Sequence, residues 1–168
     1  DLHTHSLLSD GSLLPSEILR RAEALNYEAI AITDHVDAST LESCIKKLVK
    51  VSRELEKHPY KTEFYPGVEL THIPPEAIPS MASKAKKLGA LLVIVHGETI
   101  VEPVKPNTNH AAIECGYIDI LAHPGLITLE DCELAKKNEV YLELTSRRGH
   151  CLTTVSYTHL TLPTNREV

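Results

Sequence analysis

The chain has 168 residues, 42% of them hydrophobic and 24% charged, which suits one domain with a real core. Its formal net charge is −6, with 4% aromatic residues and no Trp. No Lys/Arg cluster makes a nucleic-acid footprint and no aromatic platform stacks bases, so a small-molecule partner is expected and nucleic acid is not.

Cys44, Cys115, Cys132 and Cys151 form no CxxC pair, which predicts reduced thiols. No signal peptide and no apolar run of about 18 residues is visible, so a cytoplasmic protein without a membrane span is expected.

The chain opens on DLHTH, read as a first strand clipped at its N-terminus. Ile18, Leu19, Ala22 and Leu25 then have helical spacing, with Pro15 near the helix start. EAIAIT (28–33) reads as a strand. Ser39 and Glu42 have a capping-box spacing before a long helix marked by Leu41, Ile45, Leu48, Val51 and Leu55. FYPGVEL (64–70) reads as a strand, and Ile78 to Leu88 as a helix stopped by Gly89. ALLVIV (90–95) has the pattern of a buried strand, followed by a short helix from Asn107 to Cys115. The strand YIDILA (117–122), a helix opened by Thr128 and Asp131, and the strand VYLEL (140–144) complete the series. Six strands alternate with helices, which predicts an α/β protein with a parallel sheet; the alternation alone fits a barrel or an open sheet.

The polar residues gather at the carboxyl ends of these strands, where β/α folds place ligands and catalytic groups. The first strand ends in His3 and His5, the second runs into Thr33-Asp34-His35, and the third carries Glu69. The fourth ends in His96, the fifth in His123, and the sixth carries Glu143, with Thr145 beyond it. Alternate residues of a strand share a face, so His3 and His5 are expected to bind one ion together. Imidazole suits Zn, Fe, Mn or Co, and a carboxylate such as Glu69 can bridge two ions. Asp10 lies in a turn before Gly11 that can return its carboxylate to the rim. Other polar residues have plainer readings. His58, His110 and His159 sit in polar helix, loop or tail contexts; Glu143 reads as structural; His72 reads as structural or as support for the ligands. Arg147 and Arg148 read as a solvated pair or as contacts for an anion.

DLHTHSLLSDG, ITDHVD, PGVEL, VIVHGE and DILAHPG, in this order, resemble the successive motifs of the PHP family, the polymerase and histidinol phosphatase domain. The resemblance runs from residue 1 to about 153. It implies a distorted (β/α)7 TIM-like barrel, here incomplete with about six strands, and a centre of two to three divalent ions, Zn, Mn or Fe. It implies that His3 and His5 hold one ion, that Glu69 bridges it to a second completed by His96 and His123, and that Asp10 and His35 hold the third. Family chemistry is phosphoester hydrolysis with no catalytic group beyond metal-bound water. Arg148, with Arg147 and His72 near it in role, is then a candidate substrate contact, because a guanidinium fork matches phosphate oxygens.

The family ends its metal site with Asp-x-His on a seventh strand, and that motif is absent here. Residues 154–168 are not family-like and resemble translated adaptor sequence, so the domain is expected to be 1–153, truncated at its C-terminus, with impaired activity; His159 is not expected to substitute as a ligand. The leading expectation is a metal-dependent phosphoesterase acting on a small phosphorylated metabolite, such as histidinol phosphate or a nucleotide. The alternatives are a PHP-type nuclease or proofreading module, and a metal-binding structural or regulatory module without catalysis.

Overall fold

A computed structural model describes residues 1–147, 149 and 150. The chain divides into two compact units, residues 1–71 with 80–94, and residues 72–79 with 95–168.

In the first unit, α1 (Pro15–Ala24) begins at a proline, whose fixed φ and missing N–H suit the first helical position. It buries Ile18, Leu19 and Ala22. Strand β1 (Ala29–Ile32) pairs in parallel with β3 (Glu63–Leu70), and the two-residue β2 (His35–Val36) pairs with the end of β3. The register sets His35 opposite Glu69. Helix α2 (Leu41–Lys57) buries Leu41, Cys44, Ile45 and Leu48. Each fully buried Leu or Ile contributes about 1.5–3 kcal/mol relative to an exposed one.

The Ser39–Glu42 capping box is not made. Asp37 instead holds the turn before the helix: its carboxylate accepts from the Ser39 and Thr40 backbone N–H groups at 2.9 and 3.2 Å, and the N-cap Thr40 makes no side-chain cap bond. Glu42 instead meets Lys46 at 2.6 Å and Lys84 at 3.2 Å. Asp37 competes for both nearby hydroxyls, which sequence spacing alone does not reveal.

The DLHTH segment is also not a strand. It runs beside β1 through only a few bonds, Ala31 N–H to Asp1 O and Thr33 N–H to Thr4 O, both at 2.8 Å. The strand count of six is kept because β2 was not anticipated.

Helix α3 (Ile78–Lys87) follows a short 3-10 turn, Pro75–Ala77, and ends before Gly89, whose φ of +104° favours glycine. Strand β4 (Leu92–His96) follows. Within the first unit, Leu91 N–H bonds Pro66 O of β3 at 2.8 Å. In the second unit, Gly97 N–H bonds Ala122 O at 3.0 Å, beside β5 (Ile120–Ala122). Helices α4 (Thr108–Glu114) and α5 (Leu129–Asn138) flank β5, which pairs in parallel with β6 (Tyr141–Leu142). The strand order is β1-β3-β4-β5-β6, with β2 on β3. The α/β class expected from the sequence is the one observed, and the order has two ends among the described residues, as an incomplete barrel requires. Among the described residues no helix is long and apolar enough to cross a membrane.

Candidate metal centre

The first unit collects His3, His5, Asp10, His35 and Glu69. Glu69 lies at the end of β3, fully buried, with His35 beside it in register. His3 and His5 come from the opening segment. Although that segment is not a strand, it turns both rings the same way, and their Nε2 atoms lie 3.2 Å apart. Glu69 Oε2 is 3.2 Å from His3 Nε2 and 3.6 Å from His5 Nε2. These three atoms form a nearly equilateral triangle. A tetrahedral ion with legs of about 2.0–2.1 Å sets its ligand atoms about 3.3 Å apart, so the donor set fits a zinc-sized cation.

A second group, His5, Asp10 and His35, is wider: Asp10 lies 3.9 Å from His5 Nδ1 and 3.8 Å from His35 Nε2. A neutral imidazole has one lone pair, so His5 can serve only one group at a time. His35 Nδ1 faces Glu69 Oε2 at 2.8 Å and Thr71 Oγ1 at 2.6 Å, which leaves Nε2 toward Asp10. The Thr71 hydroxyl donates to Glu69 O at 3.1 Å and so accepts from His35 Nδ1, which fixes the tautomer.

Electrostatics differ from one ligand to the next. Burial would raise the Glu69 carboxyl, but hydrogen bonds and charge from His3 and His35 outweigh it and hold the group well below the usual range. Burial lowers His5, against the pull of Glu69, and favours the neutral ring that a metal needs. At His35 burial also acts downward, but the Glu69 hydrogen bond and charge prevail and raise it.

The loop carrying Asp10 is anchored by residues to which the sequence reading gave no role. Asp34, fully buried, accepts from Ser6 N–H, Ser6 Oγ and Ser9 Oγ, each at 2.7 Å. Gly11 closes the loop with its N–H on Ser6 O at 2.9 Å, and a Cβ there would collide with the His5 carbonyl oxygen. The available signal was the Asp beside His35 and the Ser-rich SLLSDG turn, which only the long-range contact explains.

The second unit collects His72, His96, Glu102, His123 and His150. The rings of His96 and His123 meet edge to face with centroids 4.4 Å apart. His96 Nδ1 lies 3.2 Å from Gly97 O, to which it donates, leaving Nε2 as the ligating atom. Glu98 fixes the turn after β4: its N–H donates to Asn109 Oδ1 at 2.9 Å and its carboxylate accepts from Asn109 N–H at 3.0 Å. A Cβ at Gly97 would collide with the Ala122 carbonyl oxygen. Glu102 and His150 were not anticipated, since both lie in stretches without strand or helix periodicity. His72 is exposed. Arg147 is exposed, with its N–H on Thr145 Oγ1 at 3.1 Å, while Arg148 and His159 lie outside the described residues. Glu143 extends the strand pairing through its N–H to Leu121 O at 3.0 Å. His58 is exposed at the end of α2, and His110 pairs with Asp131 at 2.7 Å, as structural residues should.

A cavity of about 310 Å³ lies at the opposite end of β3, lined by the end of α2, Pro59, Tyr60 and residues 62–65. It contains no histidine, so the chemistry stays with the two clusters.

The PHP domain family model matches residues 1–147. The chain belongs to the PHP domain family. An uncharacterized protein of Methanocaldococcus jannaschii is similar at 52% identity over 153 residues, covering 91% of this chain and 70% of the relative. PHP domains are generally metal-dependent hydrolases of the phosphoesterase type and typically bind divalent ions. This PHP domain has His/Glu clusters that could hold such ions.

Proposed function

We propose that this PHP domain hydrolyses phosphate esters of a small metabolite, such as histidinol phosphate or a nucleotide, using two to three divalent ions. The observation that carries the reading is the triangle of His3, His5 and Glu69, whose edges match the ligand spacing of a single ion. By the family pattern, His3 and His5 hold one ion, Glu69 bridges it to a second completed by His96 and His123, and Asp10 with His35 holds a third. Zn, Mn or Fe suits this nitrogen and carboxylate set. Bound ions would supply an activated water and offset charge on the phosphoryl group. The protein's own part is to orient the imidazoles. The Thr71 hydroxyl orients His35, and the Gly97 carbonyl orients His96.

Arg148 is proposed to grip the substrate phosphate, with Arg147 as the neighbouring cation. The support is guanidinium chemistry and the position after the last family-like strand. The net charge of −6 favours a small substrate over a polynucleotide. A screen of small phosphate esters, with metal analysis on the same sample, tests the reading. Turnover that follows metal content supports it, and metal-loaded protein inert toward every ester would overturn it.

A further inference from the structure

The family pattern assigns His96 and His123 in the second unit, gives His72 only as a candidate substrate contact, and leaves Glu102 and His150 without a role. Glu102 nevertheless sits among three imidazoles. Its Oε2 lies 2.9 Å from His96 Nε2 and 3.7 Å from His72 Nε2. Its Oε1 lies 2.9 Å from His150 Nε2. The Oε2 atom is buried, yet it makes no hydrogen bond of acceptable geometry, although His96 Nε2 is within reach. Two donor atoms that approach without pointing a hydrogen at each other are arranged as ligands of a common cation.

The backbone supports this. His72 has φ +52° and His123 has φ +34°, a region costly for residues with a Cβ. His72 lies just past the end of β3, in an exposed position, with its ring centroid 5.3 Å from that of His96.

We propose that Glu102 and His72 are ligands of the divalent ion held by His96, and that His150 orients Glu102 through its other oxygen. Added to the ligands of the family pattern, Glu102 and His72 would enlarge the donor set of that ion by one carboxylate and one imidazole, groups that suit zinc, manganese and iron. His150 acts through Glu102 and is a positioning residue. The inference deepens the metal-dependent reading and rests on it.

The test uses the full chain, stripped of metal and titrated with Zn²⁺, with stoichiometry and affinity read by calorimetry and elemental analysis. Glu102→Gln keeps the shape, and His72→Ala removes an exposed ring, so both variants should fold as the parent does; far-UV circular dichroism checks this. Each should lose one equivalent of bound zinc or bind it at least about tenfold more weakly, and His150→Asn should weaken it by about 10–100-fold, the range for residues that orient a ligand. Unchanged stoichiometry and affinity in either Glu102→Gln or His72→Ala would overturn the assignment. His3→Ala serves as the control: if it loses zinc while those two do not, the family centre stands and only this inference fails. If the parent chain binds no zinc at all, the metal-dependent reading fails with it.

Discussion

Glu69 concentrates the chemistry of the first unit: a fully buried carboxylate facing His3, His5 and His35. Glu69→Gln keeps the volume and removes the charge, so it should lower the bound metal by more than one equivalent in elemental analysis; unchanged stoichiometry would rule out a bridge. Asp34 tests a different dependence, since it touches no proposed ligand side chain but fixes the loop from Ser6 to Gly11. Asp34→Asn turns an acceptor into a partial donor against Ser6 N–H and two hydroxyls. The expected loss is on the order of 1.5–3 kcal/mol in urea unfolding, with weaker metal binding through Asp10. Wild-type metal affinity in a destabilised variant would limit Asp34 to the fold. Gly11→Ala should cost a further order of 1–3 kcal/mol, because the methyl meets the His5 carbonyl and overpacks the loop.

At the scale of elements, helix α5 shows how sequence signals become structure. Thr128 Oγ1 accepts from Asp131 N–H at 3.1 Å and donates to Asp131 Oδ2 at 2.8 Å. Thr128→Ala should lower stability by about 1 kcal/mol, measured by denaturant midpoint. Asp131 also accepts from His110 Nδ1 of α4, and this hydrogen bond, against a smaller effect of burial, raises the His110 imidazole above its ordinary value. A raised folded-state value means the stabilisation is complete below the ordinary value of 6.5 and is lost as pH rises through the raised value. The pair is partly exposed and is worth less than about 1 kcal/mol. The melting-temperature gap between the parent and His110→Gln should therefore narrow as pH rises from acid to mildly alkaline; a gap that widens would contradict the assignment. The Thr128–Asp131 spacing was legible in the sequence because a cap is local. The Ser39–Glu42 spacing looked equally good and failed, because Asp37 reaches the same hydroxyls first. DLHTH departs from a strand for a related reason. Its histidines converge through a few bonds to β1 and through Glu69, without a continuous ladder.

For the whole molecule, the order of motifs was enough to assign the family, since strand-end His, Asp and Glu residues recur at β/α spacing along the chain. What the sequence did not disclose were the residues that act across long loops: Asp34 under the Asp10 turn, Glu98 on α4, and Glu102 with His150. None of these has a periodic neighbourhood, and each is recognisable only by what it touches. The central claim is that His3, His5 and Glu69 hold a divalent ion. Metal content by elemental analysis of the purified chain, beside a His3→Ala/His5→Ala variant with the same circular dichroism spectrum, tests it most directly. The parent should retain a stoichiometric transition-metal ion that the double variant lacks; equal metal content in the two proteins would contradict the account.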